Sequence, residues 1–201
     1  MKKFYKMVSF VFQPLLMPTF GMIMFVNMSI FDVFSGLWRF VAVTGTFLFT
    51  GLLPVIPVFL LIKKGEVHDL FISRREERTV PYLFSLLSYI FWTVFLWKML
   101  NFPLFMVGMG IGTSISILFI MLINLKWKIS AHMSGIGGLA GATFGLSFRL
   151  AFNPLSLFII LLALAALIAL SRIELKAHTP GQTLAGFTLS FLCVFLPCIL
   201  L

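Results

Sequence analysis

Charge is what this chain has least of. Lys, Arg, Asp and Glu supply 10% of its 201 residues, and only 6 residues are acidic. A soluble globular chain carries about 25% charged residues, so the soluble classes are excluded. The scarcity of carboxylates also leaves few groups to hold the rings of metal-binding histidines: Glu66, Asp69, Glu76, Glu77 and Glu174. Cysteine is nearly absent. Cys193 and Cys198 lie five apart in the last apolar segment and do not share a helix face well, so packing is their reading rather than a disulfide or a metal pair. Basic residues outnumber acidic ones 15 to 6, for a net charge of +9. They sit in short loops between apolar runs, where they orient a chain in a bilayer, and no nucleic-acid partner is expected. No repeat of solenoid length and no low-complexity tract occurs.

What the chain has in excess is apolar material: 61% hydrophobic residues including 25 Phe, and a mean hydropathy of +1.11. Membrane lipids are therefore its surroundings. Spans of about 20 residues cross a bilayer, and seven candidate segments can be drawn, at 7–27, 38–62, 81–100, 103–125, 132–151, 154–170 and 182–201. The basic and apolar start, MKKFYKMVSFVFQPLL, is followed by no small-residue cleavage site, so it reads as a retained first span. Asn101-Phe102-Pro103 and Asn153-Pro154 mark tight turns. Pro14, Pro18, Pro54 and Pro57 are expected to kink the first two spans, because each removes a backbone donor. Gly137, Gly141 and Gly145 fall on one helix face, as a close helix contact requires. The Gly135-Ile136-Gly137-Gly138 stretch follows no strand and is rejected as a nucleotide loop. One domain is expected over 1–201.

Parity sorts the polar residues. With seven spans, the N-terminus and the loops at 63–80, 126–131 and 171–181 share one face. Twelve of the 15 basic residues belong to it, against Arg39, Lys98 and Arg149 on the other. His68, His132 and His178, the only histidines, lie on or beside the same face. Guanidinium forks match phosphate oxygens. A neutral imidazole can attack phosphorus, and a second can protonate the leaving oxygen. Such a site needs no metal or other cofactor in principle, since phosphoryl transfer rests on positioning and charge.

Ser171-Arg172, then His178 after five residues, then Gln182 after three, followed by Thr183-Leu184-Ala185-Gly186, resembles the third motif of the type 2 phosphatidic acid phosphatase superfamily. That motif reads Ser-Arg, five residues, His, three residues, Asp. Lys128-Ile129-Ser130-Ala131-His132 resembles the second motif, Pro-Ser-Gly-His, with Ile129 for Pro and Ala131 for Gly. The first motif, Lys, six residues, Arg-Pro, is matched by Arg78 alone, with Thr79 for Pro and Phe71 at the Lys position. The motif-bearing core covers about 70–187.

The resemblance implies an all-α polytopic membrane bundle of six or seven spans. It also implies roles: His178 the nucleophile that forms a phosphohistidine, His132 the acid for the leaving group. Arg172 and Arg78 would hold phosphoryl oxygens, Ser130 would donate a further hydrogen bond, and Arg74 would replace the missing Lys if it shares a helix with Arg78. Gln182 stands where the family has Asp; its amide oxygen can accept the Nδ1–H bond but brings no charge. The expectation is a metal-independent phosphatase acting on a lipid phosphate or polyprenyl diphosphate. A binder or carrier of such lipids, and a metal site built from the three histidines, are the alternatives. The expected location is a bacterial inner membrane. Charge bias turns the active face to the cytoplasm, whereas the resemblance turns it to the periplasm.

Overall fold

In the computed structural model, residues 1–69, 72 and 74–201 are described; Phe71, at the Lys position of the first motif, lies outside them. The helices are α1 (Lys2–Val11), α2 (Met17–Val26), α3 (Gly36–Thr46), α4 (Val55–Lys63), α5 (Thr79–Val94), α6 (Leu104–Asn124), α7 (Ala131–Leu150), α8 (Leu155–Glu174) and α9 (Pro180–Leu200). Among the described residues there is no strand, so the fold is an all-α helical bundle. Six helical stretches are long and apolar enough to cross a membrane: Lys2–Val26, Gly36–Lys63, Glu76–Met99, Leu104–Asn124, Leu155–Glu174 and Pro180–Leu200. The protein is an integral membrane bundle.

All seven expected segments form helices, with shifted edges. The first begins at Lys2 rather than residue 7, because α1 is amphipathic and carries its lysines on an exposed face. The sixth runs on to Glu174, so Arg172 belongs to the last turn of α8 and not to a loop. Prolines break the first two stretches, as their missing donors require. Gln13-Pro14 separates α1 from α2, and Pro54 follows a π-helical turn, Phe47–Leu52, that separates α3 from α4.

α7 is as long as its neighbours but less apolar, and it is absent from the six. The reason is its position: it packs against α9, α8, α6 and α2, so its surface meets protein and can be Gly, Ser and Thr. A Cβ on Gly137 or Gly141 would land on the carbonyl oxygen of Phe187 or Phe191, and one on Gly145 would lie 2.7 Å from Cys198 Cβ. The order 137–187, 141–191, 145–198 makes α7 parallel to α9. α6 runs the other way, with Gly108 against Pro197 and Gly112 against Cys193. Small residues thus let backbones meet, the membrane substitute for a hydrophobic driving force.

Buried hydroxyls fasten the outer helices. Trp92 Nε1 donates to Thr46 Oγ1 at 3.0 Å, Thr50 donates to Thr46 O at 2.9 Å, and Ser88 donates to the Phe49 carbonyl. The Trp92 and Ser88 bonds tie α5 to the second span where no water can compete, and the Thr50 bond stays within that span.

A Gly141→Leu variant, forced to overpack the α7–α9 contact, should lose about 1–3 kcal/mol of stability. Gly138→Ala is the control on the same helix: its Cβ finds ordinary contact, 3.5 Å from Val194 Cγ2. Thermal unfolding of the two variants in detergent should separate them, with Gly138→Ala close to wild type.

Candidate functional site

Four chain segments converge at one end of the bundle: the N-termini of α7 and α9, the C-terminus of α8, and the start of α5. Local chemistry sets each one. Ser130 caps α7, its Oγ accepting from the Met133 N–H at 3.4 Å. Thr179 caps α9 through a capping box, Thr179 Oγ1 accepting from Gln182 N–H and Gln182 Oε1 accepting from Thr179 N–H at 3.2 Å. The five residues between α8 and α9 fold back tightly, with Lys176 at φ +52°. There the N–H groups of Ala177 and His178 both donate to the Arg172 carbonyl. His178 and Arg172 are thereby held together by backbone. Ser130 N–H donates to Gln182 O at 3.3 Å, which joins the second and third motifs directly. A Cβ at Gly186 would come 2.6 Å from Ser130 O, so the glycine that ends the Thr183–Gly186 stretch is what admits this contact.

The result is a cleft of about 250 Å³ lined by Arg78, Arg172, His132 and His178 among apolar residues. Arg78, His132 and His178 are 6–8% exposed. Arg78 Nε donates to Ile72 O at 2.8 Å and Nη1 to Ile129 O at 3.4 Å, and its guanidinium also hydrogen-bonds the Tyr82 hydroxyl. Arg172 Nε is buried without a hydrogen-bond partner. Among the described residues, no carboxylate forms an ion pair with either arginine. Burying an unpaired charge costs several kcal/mol, so this end of the bundle is built at a cost that a bound anion would offset. The positive N-terminus of α7 adds to the same field. Lys128, in the adjoining loop, is held below the usual lysine range by burial and then by the Arg78 and Arg172 charges.

His178 has a defined tautomer. Its Nδ1 lies 3.1 Å from Gln182 Oε1. That atom must be oxygen, because the Thr179 N–H also points at it and an amide NH₂ cannot accept. Nδ1 therefore carries the ring proton and Nε2 keeps its lone pair. Burial first, then the Arg78 charge, lowers the His178 pKa to about 4, against the smaller raising effect of Gln182. At neutral pH the ring is uncharged.

His132 is arranged oppositely. Its Nε2 lies 3.0 Å from Ser9 O; a carbonyl only accepts, so the neutral ring has its proton on Nε2 and none on Nδ1. As an acid toward the cleft it must first gain a second proton.

Two sequence-predicted residues stand elsewhere. Arg74 is exposed and reaches His68 Nε2 at 3.0 Å and Glu77 Oε1 at 3.6 Å, away from the cleft. Helical winding begins only at Glu76, so the four-residue spacing of Arg74 and Arg78 does not put them on one face. Ser130 is buried as a helix cap and is not among the lining residues. His68 pairs with Glu77 at 2.6 Å, and among the described residues no three His, Cys, Asp or Glu groups could hold a metal together. Gln13 and Tyr82 line the cleft unforeseen. A polar Gln beside Pro14 within a span, and a Tyr four residues after Arg78, were the available signals.

No protein-family model, curated protein or solved structure matches the chain.

Nitrogen-15 spectra of the histidine rings test the tautomer. At pH 7 the His178 signal, assigned by its loss in His178→Ala, should report a neutral ring protonated on Nδ1. Protonation should begin only as pH falls toward about 4. A His178 ring titrating near pH 6.5 would contradict the buried, cation-flanked setting.

Proposed function

We propose that this protein is a metal-independent phosphatase of a membrane lipid phosphate or diphosphate, working through a phosphohistidine. One observation carries the reading: a neutral imidazole with a bare Nε2 shares a buried cleft with two guanidiniums that pair with no carboxylate among the described residues. An unpaired arginine pair calls for an anion with several oxygens, and a bare Nε2 supplies the nucleophile.

In this mechanism Arg78, Arg172 and the α7 N-terminus hold the phosphoryl oxygens. The Nε2 lone pair forms the P–N bond while the P–O bond to the lipid breaks and its electron pair leaves on oxygen. His132, protonated once the phosphate's negative charge is beside it, gives that oxygen a proton. Water then attacks phosphorus and gives a proton to His132, now neutral, while the P–N pair returns to Nε2 and phosphate leaves. Gln182 keeps the proton on Nδ1 throughout the attack. It lacks the charge that would stabilise the cationic ring.

Phosphate release from a lipid-phosphate panel should persist in excess chelator and fall with vanadate. His178→Ala and Arg172→Ala should each abolish it, and Arg74→Ala should leave it within about twofold, as expected of an exposed pair. Gln182→Glu keeps the length of the side chain and the capping box while adding a carboxylate. It should raise the His178 pKa and raise turnover at least about tenfold, within the roughly 10⁴ that an orienting carboxylate can supply. Head-group binding without release from any lipid would instead identify a binder or carrier, the reading that the uncharged Gln182 favours.

The bias of 12 basic residues to 3 supports a cytoplasmic site. Without Arg74, Arg75, Arg78 and Arg172, which belong to the site and its loop, the ratio is 8 to 3 and still favours that side. Exposed Glu66 lies on that face. A Glu66→Cys variant should resist an impermeant thiol reagent in intact cells; ready labelling would place the site outside.

A further inference from the structure

A second cavity, of about 120 Å³, adjoins the cationic cleft inside the bundle. The two share Pro14, Leu15, Tyr82, Ser85 and Ala131 in their walls. From that junction the inner chamber follows α5 from Tyr82 to Trp92 and α7 from Ala131 to Ala142. At 1.5 Å per residue this is a depth of roughly 15 Å, about half the hydrocarbon thickness of a bilayer.

Its deep walls offer a ligand few free donors. Trp92 Nε1 is spent on Thr46, Ser134 Oγ on Ser130 O and Thr113 Oγ1 on Met109 O, Tyr89 bonds Thr50, and Ser116 and Ser190 bond each other. A mostly apolar cavity whose polar groups are largely paired gives water few partners, and such cavities take apolar guests. Met17, Met22 and Met109 in its wall can shift to admit one. Gly138 keeps one side open, since a Cβ there would face Val194 and Ser190 at 3.5 and 4.0 Å.

We propose that this chamber receives a single hydrocarbon chain of the ligand whose phosphate sits in the cationic cleft. The inference rests on the phosphate reading of the cleft and adds where the lipid lies: its chain enters the protein rather than remaining in the bilayer. The junction at Tyr82, Ser85 and Ala131 is where head group and chain meet. The depth of the chamber then sets a preference for chain length, and Gly138 is a specificity-determining position.

The experiment uses the full chain in detergent and a long-chain alkyl phosphate with a terminal bromine, a short-range fluorescence quencher. Bromine reaching the chamber floor should quench Trp92, read as the part of the quenching that Trp92→Phe removes, since the exposed Trp97 and Trp127 also meet the detergent. That part should vanish with the matching brominated alcohol, which lacks the phosphate. Gly138→Leu, which fills the chamber, should weaken binding of the long-chain phosphate at least about tenfold through lost apolar burial. Butyl phosphate, too short to enter, should be handled equally by both proteins, in binding and in phosphate release. Long-chain phosphate bound or hydrolysed without Trp92 quenching, and unaffected by Gly138→Leu, would overturn the chamber while leaving the phosphatase reading intact. Head-dependent quenching with no phosphate release would support the chamber and remove the phosphatase. Since quenching is read in the native protein, the test does not depend on Gly138→Leu folding.

Discussion

Two helix backbones, α7 and α9, meet with no side chain between them, and the positions of all the polar residues at one end follow from that contact. Gly137 and Gly141 face the Phe187 and Phe191 carbonyls, and Gly186 faces Ser130 O. Because the helices run parallel, both N-termini arrive at the same level. Ser130 N–H then reaches Gln182 O, and the first turn of α7, which carries His132, and the loop carrying His178 become one unit. Loosening any of these glycines by a single methyl group would shift one N-terminus against the other. The histidines would separate before the helices did.

At the same end of the bundle, Arg78 and Arg172 carry positive charge that no carboxylate among the described residues pairs with. Elsewhere such charge is paired locally: Arg39 pairs with Asp32 at 3.0 Å, and Arg75 with Glu76 at 3.2 Å. Arg78 and Arg172 stand apart from this habit, though Glu76 and Glu77 are only one or two residues from Arg78. Glu77 is turned instead to His68 and Arg74. The chain thus had carboxylates within reach of the cleft and directed them away. For a bundle stabilised by apolar packing, two unpaired guanidiniums are a net cost, which is the physical ground for reading them as a ligand site.

Much of the fold was legible in the residues, and what was not depended on local winding, helix capping and packing between distant residues. The apolar runs and their proline breaks set the helices to within a few residues. His178 with Gln182, four apart, was readable because a helix start puts such residues in contact. Arg74 stands apart because that rule was applied from Arg74 to Arg78, where helical winding begins only at Glu76. Ser130 was given a ligand-facing task where its hydroxyl caps a helix. Gln13 and Tyr82 were missed because their places depend on α1 and α5 packing around α7, contacts between residues far apart in sequence. Gln13 sits at the level of the cleft only because Pro14 breaks the first span there.

Gln182 does two things at once, and the combination bears on what the site can achieve. One oxygen accepts from Thr179 N–H and from His178 Nδ1–H, so the residue that starts α9 also fixes the imidazole tautomer. A carboxylate could accept the same two bonds and would also lower the cost of a cationic ring. With the amide, the resting cleft keeps its full positive charge and attracts a phosphate strongly in its ground state. Only interactions that strengthen toward the transition state accelerate chemistry. A neutral orienting group holds Nε2 in place equally before and during attack, so it favours affinity over turnover. On the proposed reading, a cleft built this way would favour capture of an anion over its turnover, while the nucleophile stays correctly presented.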